Sequence, residues 1–293
     1  MTVKHSNRRY SEITGRAVLY AILIIVAIYY LIPLVIMIST SFRDMNDIRF
    51  GHLIDLPSSF SFEAWRMAWS EVQIGARRQL GLRPYFINSL LITIPAVTIS
   101  VILGAVNGYV LSFWRFKGSN IFFALLLFGC FLPFQAILLP QATVLGKIGL
   151  SGTIPGLVLT HVVYGVAFTT LFYRNYYVSL PGELVKAAQL DGAGFWRIFW
   201  RIILPLSTPI TVVAVIWQFT QIWNDFLFGV AFSSPQSQPV TVGLNNMVNS
   251  STGEVRYNVD MAGAIIAALP TLAVYVIAGK YFVRGLTAGS VKG

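Results

Sequence analysis

Charged side chains are scarce in this sequence. Asp, Glu, Lys and Arg make up 11% of the 293 residues, whereas 56% of the residues are hydrophobic. A typical soluble domain carries about 25% charged residues, so a water-soluble globular chain is excluded. Cysteine is nearly absent as well. Cys130 stands alone, which excludes a disulfide bond within the sequence and leaves the redox compartment undetermined.

Sequence motifs typical of enzymes are also absent. Gly146-Lys147 and Gly279-Lys280 lack the remaining residues of a Gly-x4-Gly-Lys-Ser/Thr phosphate loop. No HExxH, Cys-x2-Cys or Gly-x-Ser-x-Gly motif occurs. We therefore expect that the chain is not an enzyme, that it holds no cofactor or catalytic metal, and that its energy comes from another protein.

Long hydrophobic segments are what the sequence has in abundance. Six of them approach or exceed the roughly 20 apolar residues with which a helix crosses a bilayer. Helices satisfy their own backbone hydrogen bonds, as the bilayer interior requires. The prediction is an all-α, polytopic membrane protein with six transmembrane helices in a single domain of residues 1–293. The predicted spans are residues 17–38, 86–113, 121–140, 154–173, 210–232 and 262–282.

Basic residues are distributed unevenly among the segments that connect these spans. With the N-terminus inside, the two short outer loops contain only Lys147 and Arg256. The positive-inside rule then predicts that both termini are cytoplasmic. The net charge of +10 is accordingly a topology signal and favours contact with anionic membrane lipid. No nucleic-acid binding is expected, because no basic stripe with interleaved aromatic residues lies in a soluble segment.

An amphipathic interruption, residues 179–205, separates the fourth and fifth predicted spans. Gly192 is expected to end a first short helix there, because glycine readily adopts positive φ at a helix end. A second helix follows, with apolar residues at i, i+3, i+4 and i+7 on one face. This face consists of Phe195, Ile198, Phe199 and Ile202. Such a pair of helices can pack on its own protein or enter the groove of a partner.

The same segment resembles the EAA loop of ABC importer permeases. The matching positions are Ala187, Ala188, Asp191, Gly192, Ala193, Ile202, Leu204 and Pro205. One position departs from the motif, since its first Glu is Lys186 here, although Glu183 lies one turn earlier. Two further segments resemble the same family: Trp-Asn-Asp-Phe at 223–226 and the terminal Gly-Leu-Thr-Ala-Gly-Ser-Val-Lys-Gly at 285–293. The chain is similar to the maltose-type carbohydrate permeases over nearly its full length, and nearest to those for glucose and glucosides.

The resemblance implies a permease subunit of an ATP-driven, binding-protein-dependent sugar importer in the bacterial inner membrane. The implied partners are a second homologous permease, an ATPase dimer that binds ATP and Mg, and an extracytoplasmic solute-binding protein that contacts the loop at 233–260. Residues implied in coupling to the ATPase are Glu183, Lys186, Ala187, Ala188, Asp191, Gly192, Ala193 and Phe195. Residues implied in docking of the C-terminal tail are Gly289, Ser290, Val291 and Lys292.

Polar residues at membrane depth are concentrated in the fifth predicted span. Gln218, Gln221 and Asp225 recur at i, i+3 and i+7, so a continuous helix would place them on one face. Trp217 and Asn224 lie beside them. Amides and carboxylates can bind sugar hydroxyls, and aromatic rings can cover apolar sugar faces, so we interpret this stripe as lining a substrate path. The alternative is that the stripe packs against a partner permease and that Asp225 lies at the outer interface.

Two other spans contain residues with more than one interpretation. Pro133 and Pro140 are predicted to break the third span twice. The break fits either a kinked helix near a substrate path or simple helix termination. His161 in the fourth span could sense protons, but no Asp or Glu lies near it in the sequence, which favours a hydrogen-bonded packing role.

Two functions from other classes are weighed against the permease. An ion-coupled secondary carrier would have paired intramembrane acids and inverted repeats, whereas the sequence has one candidate acid, Asp225, and no obvious repeat. A membrane enzyme acting on lipid-linked sugar would need an acidic cluster at the interface. The only such grouping is Asp44, Asp47 and Asp55.

Overall fold

The computed structural model describes residues 3–52, 55–74, 79–249 and 255–288, and most of these residues are helical. The long helices are α1 (Val3–Ser41), α4 (Arg83–Phe113), α5 (Ser119–Phe131), α7 (Ile154–Val178), α11 (Thr208–Trp223) and α14 (Tyr257–Ala288). The shorter helices are α2 (Met45–Phe50), α3 (Glu63–Ser70), α6 (Leu138–Lys147), α8 (Glu183–Leu190), α9 (Phe195–Ile198), α10 (Leu204–Leu206), α12 (Leu227–Phe232) and α13 (Val240–Asn249). Strands β1 (Gln73–Ile74) and β2 (Gln79–Leu80) form a small antiparallel hairpin.

The all-α membrane fold predicted from the sequence is confirmed. Among the described residues, four helices are long and apolar enough to cross a bilayer, and six spans result if each of two bent helix pairs counts as one. The continuous spans are longer than predicted, because α4 begins at Arg83 and α7 extends to Val178. Within the predicted polar loop at 233–260, residues Val240–Asn249 form helix α13.

The chain forms two compact units, residues 1–71 with 251–266 and residues 72–250 with 267–293. In the first unit, Trp65 of α3 stacks on Phe42 at 5.4 Å between ring centroids. Asn258 Nδ2 donates to the carbonyl of Arg43 at 3.0 Å. The second unit contains the residues that the sequence singled out for function.

The second unit is built on close packing between α4 and α7. A Cβ atom on Gly104 would collide with Thr169, and one on Gly108 would collide with Tyr173, so these glycines allow the two backbones to approach. Thr169 Oγ1 also donates to the carbonyl of Ser100 at 2.8 Å, which links the helices inside the apolar layer. The pair packs against α11 and against the loop at 179–205.

The third predicted span is broken once and not twice. Helix α5 ends at Phe131, because Leu132 is extended before Pro133, the conformation that proline imposes on its predecessor. The segment Phe134–Lys147 then continues at 98° to α5. Pro140 lies in the first turn of α6, where a missing N–H costs little, so the predicted second break is wrong. Residues 148–153 form a turn without a helix.

The fifth predicted span, residues 210–232, is not one helix. Helix α11 ends at Trp223 and α12 begins at Leu227. The Asp225 carboxylate accepts the backbone N–H groups of Phe228 and Gly229 at 3.3 and 3.1 Å, in place of the carbonyls of a continuing helix. A short acidic side chain thus competes with the helix for its own backbone donors.

Candidate functional site

A cavity of about 920 Å³ lies where the broken helices meet α7. All five residues predicted to line a substrate path contribute to it. The described lining residues are Gly129, Cys130, Phe131, Leu132, Pro133, Phe134, His161, Tyr164, Gly165, Phe168, Trp217, Gln218, Thr220, Gln221, Ile222, Asn224, Asp225, Phe226, Leu227 and Phe228. The cavity is large enough for a sugar unit and has both apolar and polar walls.

Gln218, Gln221 and Asp225 were predicted to share one face of a helix, and all three line the cavity. Gln218 is buried in the helix bundle, whereas Gln221 is exposed, and Asp225 lies beyond the end of α11. The three residues reach the same cavity because the chain turns after Trp223. Asn224 follows the helix end and its Oδ1 accepts a hydrogen bond from Thr271 Oγ1 at 3.3 Å.

Aromatic rings form much of the cavity wall. Trp217 packs on Phe168 at 4.6 Å between centroids, and Phe134 packs edge-on against Phe228 at 5.7 Å. Tyr164 also contacts Phe228, at 5.0 Å. Rings held in this way present apolar faces and edges at low conformational-entropy cost.

His161 and Asp225 meet at the cavity wall. Their side chains are 8% and 15% exposed, and His161 Nε2 lies 3.8 Å from Asp225 Oδ2. The sequence argument for a packing role rested on the absence of an Asp or Glu near His161 in the sequence, whereas the fold brings Asp225 beside it from 64 residues away. The partner comes from the break after α11, a position that no local pattern around His161 could indicate.

Gln218 connects three helices. Its side chain is 2% exposed, and its Nε2 donates to Ser100 Oγ at 3.2 Å and to the carbonyl of His161 at 3.3 Å. Gly165 makes room for it, since a Cβ there would collide with the Gln218 amide. Gln218 Oε1 and the Tyr164 hydroxyl oxygen are buried without a hydrogen-bond partner in the described part of the chain.

The loop at 179–205 forms the two predicted helices, α8 and α9, and Gly192 between them has φ of 75°. Its inner face packs on α4, where Tyr109 lies 4.9 Å from Phe195 and 5.4 Å from Phe199 between ring centroids. A π-helical turn over Phe199–Ile203 inserts an extra residue. Because of it, Ile203 is fully buried and the predicted face residue Ile202 is only partly buried.

The residues implied in coupling lie on both sides of this loop. Ala188 is buried, Ala193 and Phe195 are half-buried, and the others are exposed: Glu183, Lys186, Ala187, Asp191 and Gly192. The exposed side also carries large apolar residues that sequence reasoning did not single out. These are Leu184, Leu190, Trp196 and Trp200, with Leu190 89% exposed.

Two further expectations concern a metal site and the C-terminal docking residues. Among the described residues, no group of three or more His, Cys, Asp or Glu side chains could hold a metal ion. The predicted C-terminal docking residues Gly289, Ser290, Val291 and Lys292 lie outside the described residues.

Broken apolar helices that present polar groups to a cavity are typical of membrane transport proteins, and this is the class that the fold and the cavity define. The family model of the binding-protein-dependent transport system inner membrane component matches residues 74–286. The chain belongs to this family of ABC transporter permeases, which are multi-pass inner-membrane proteins.

Similar proteins include other permeases. A "Probable ABC transporter permease protein" of Pyrococcus horikoshii is 47% identical over 180 residues, which cover 61% of this chain and 65% of that protein. The diacetylchitobiose uptake system permease protein NgcG of Streptomyces coelicolor is 29% identical over 98% of this chain and 91% of its own length. A crystal structure of a bacterial ABC transporter involved in the import of the acidic polysaccharide alginate shares the fold. Its TM-score is 0.81 at 22% identity, over 94% of this chain and 98% of that chain.

Proposed function

We propose that this chain is one transmembrane half of an ATP-driven, binding-protein-dependent importer of a sugar, with glucose or a glucoside as the substrate. The observation that carries the proposal is the cavity, in which Trp217, Gln218, Gln221, Asn224 and Asp225 are brought together. These groups combine hydrogen-bond acceptors and donors with an aromatic surface, as recognition of a pyranose requires.

The charge of the cavity favours a neutral sugar. Among the described lining residues there is no Lys or Arg, and Asp225 is the only carboxylate. An anionic sugar there would lie near Asp225 without a basic partner, which costs free energy at low dielectric constant. The relatives named above are a diacetylchitobiose uptake permease and an alginate importer, so family membership alone does not identify the substrate.

Energy would enter through the loop at 179–205. Its inner face is fixed to α4 and α7, while Leu190, Trp196 and Trp200 are exposed on its outer face. Exposed apolar side chains on a short helix pair fit a groove in a partner, here an ATPase subunit with bound ATP and Mg. Closure of the ATPase dimer would then shift the permease between inward-facing and outward-facing states.

The remaining partners follow from the same proposal. A second homologous permease would complete the translocation path, and a solute-binding protein would deliver the sugar on the outer side, where the polar segment at 233–260 contains α13. The C-terminal residues Gly289 to Lys292 would enter the ATPase dimer.

The test is transport by the complete complex in proteoliposomes. Purified complex with its binding protein should import radiolabelled D-glucose or cellobiose only when ATP is supplied on the side of the membrane where the ATPase subunits lie. An ATPase variant without its phosphate-loop lysine should abolish import. Import driven by a proton gradient without ATP would instead support the ion-coupled carrier, which the buried His161–Asp225 pair at the cavity makes worth testing.

A further inference from the structure

Tyrosine side chains of α7 bond across the base of the loop at 179–205. Tyr173 donates to Thr211 Oγ1 at 2.8 Å, and the hydroxyls of Tyr177 and Ser207 are paired at 3.0 Å. Both tyrosines lie in the last two turns of α7, before the loop begins, whereas Ser207 directly precedes α11 and Thr211 lies in its first turn. These four residues, which we call the tyrosine clamp, therefore join the two ends of the loop.

The clamp lies in an apolar environment. Tyr173, Tyr177 and Ser207 are fully buried, and both tyrosine rings belong to the same core cluster as the inner face of the loop. Hydrogen bonds in such a low-dielectric environment are electrostatically stronger than bonds that compete with water. A third bond, from Tyr176 to the carbonyl of Leu206 at 2.8 Å, lies at the exposed edge of the clamp.

These bonds fix what packing alone leaves free. Apolar contacts are non-directional, so two packed surfaces can slide past each other, whereas a hydrogen bond has a preferred length and angle. Ser207 lies where the chain turns by 79° from the segment Phe195–Leu206 into α11. Without the bonds, a displacement of the loop could be absorbed at this bend. With them, the start of α11 stays attached to the end of α7.

Helix α11 connects the clamp to the cavity. It begins at the clamp and ends at Trp223, and its residues Gln218 and Gln221 line the cavity. We propose that the tyrosine clamp transmits displacement of the loop to α11 and so to the cavity, an inference that rests on the proposed function. Tyr173 and Tyr177 are thus positioning residues, because they are buried and neither of them lines the cavity.

The experiment measures how much sugar is imported for each ATP hydrolysed. Proteoliposomes hold the complete complex with its binding protein, and import of radiolabelled D-glucose or cellobiose is compared with phosphate release. The variant Tyr173→Phe/Tyr177→Phe keeps both rings and removes both hydroxyls. The exposed residues of the loop are unchanged, so the ATPase should still co-purify and hydrolyse ATP. Sugar imported per ATP should fall roughly three- to tenfold.

A second variant separates transmission from stability. Tyr173→Phe/Thr211→Val replaces both partners of one bond by apolar groups of similar shape, which costs little free energy of unfolding. Its thermal unfolding midpoint should stay close to that of wild type, while sugar imported per ATP should still be lowered. A bond with only a structural role would change the amount of folded complex, but not the sugar imported per ATP by the complexes that remain.

The control removes two hydroxyls elsewhere. Tyr20→Phe/Tyr29→Phe changes tyrosines of α1 that are 62% and 71% exposed, and it should import as much sugar per ATP as wild type. A wild-type complex without ATP-dependent import of either sugar overturns the proposed function and the clamp with it. ATP-dependent import by wild type with an unchanged ratio in both clamp variants overturns the clamp alone, and so does an equal fall in the control.

Discussion

Single residues at the cavity hold the helix breaks in place. Asp225 ends one helical segment and starts the next, since its carboxylate takes the N–H groups of Phe228 and Gly229. Gln218 and Gly165 fit together where α11 crosses α7. These roles depend on one functional group each, so conservative substitutions can test them.

Asp225→Asn should destabilise the break after α11. The amide keeps the volume of the carboxylate but accepts less well from Phe228 and Gly229, and it replaces the acidic neighbour of His161. A loss of about 1–2 kcal/mol in the free energy of unfolding follows, seen as a lower thermal midpoint of the purified protein. Asp44→Asn is the control, since Asp44 is exposed and its side chain makes no capping hydrogen bond. Equal midpoints for the two variants would contradict this role.

Gly165→Ala should lower the free energy of unfolding, although replacing glycine by alanine within a helix usually raises it. The new methyl group collides with the Gln218 amide, which is held on its other side by Ser100. Overpacking of this kind costs about 1–3 kcal/mol and should lower both the thermal midpoint and import. In Gly146→Ala the methyl group meets no atom within 4 Å, so its midpoint should stay at or above the wild-type value. A midpoint of Gly165→Ala that matches Gly146→Ala would show that Gln218 can move aside.

Among the helical elements, the loop at 179–205 has one face that is buried against the bundle and one that is exposed. Val185, Ala188, Ile198 and Phe199 are buried against the bundle, whereas Leu190 and Trp196 are exposed. Sequence resemblance assigned buried and exposed residues to coupling alike. The structure separates the residues buried against the bundle from those that are exposed on the loop.

Leu190→Asp and Ala188→Asp should therefore fail in different ways. A charge at the exposed Leu190 should abolish ATP-driven import and co-purification of the ATPase while the thermal midpoint stays unchanged. A charge at Ala188 lies against the core and should lower the midpoint by several degrees as well, because a buried unpaired carboxylate is costly. Normal import by Leu190→Asp would refute docking through this face.

Gly192→Val tests the turn between α8 and α9. A Cβ there would meet nothing within 4 Å, but φ of 75° is strained for a β-branched residue. We expect the chain to insert normally and import to be lost, since α9 would be displaced relative to α8. Gly194→Val serves as the control because its backbone is extended, with φ of −79°. Equal import by both variants would show that the turn geometry is not needed.

For the whole molecule, the distribution of Lys and Arg among the loops predicts the orientation in the membrane, with both termini in the cytoplasm. Green fluorescent protein fused to either terminus should fluoresce, since both ends are predicted to be cytoplasmic, where this protein folds. Alkaline phosphatase inserted after Asn249 should be active on the outer side. Fluorescence from only one terminal fusion would mean an odd number of spans and would overturn the predicted topology.

Sequence patterns predicted the fold class well and the bent spans poorly. Hydrophobic length identified α4 and α7 because each is a continuous helix of sufficient length. The break at Pro133 was predicted, but the one at Pro140 was wrong and the one at Asn224–Phe226 was missed, since a polar or proline residue in an apolar run is compatible with a kink, a helix end or an unbroken helix. The π-helical turn at Phe199–Ile203 was not predicted from the sequence.

The printed sequence was enough to predict that this chain spans the membrane as helices, that it carries an EAA-like loop, and that polar residues gather near position 220. These properties follow from composition and from spacing along one helix. Contacts between helices became visible only in the fold. His161 lies beside Asp225, Gln218 donates to Ser100 in the space left by Gly165, and Tyr164 lines the cavity. Such contacts join helices far apart in the chain, so no local sequence pattern indicates them. Their partners are set by where each helix breaks and how closely it packs.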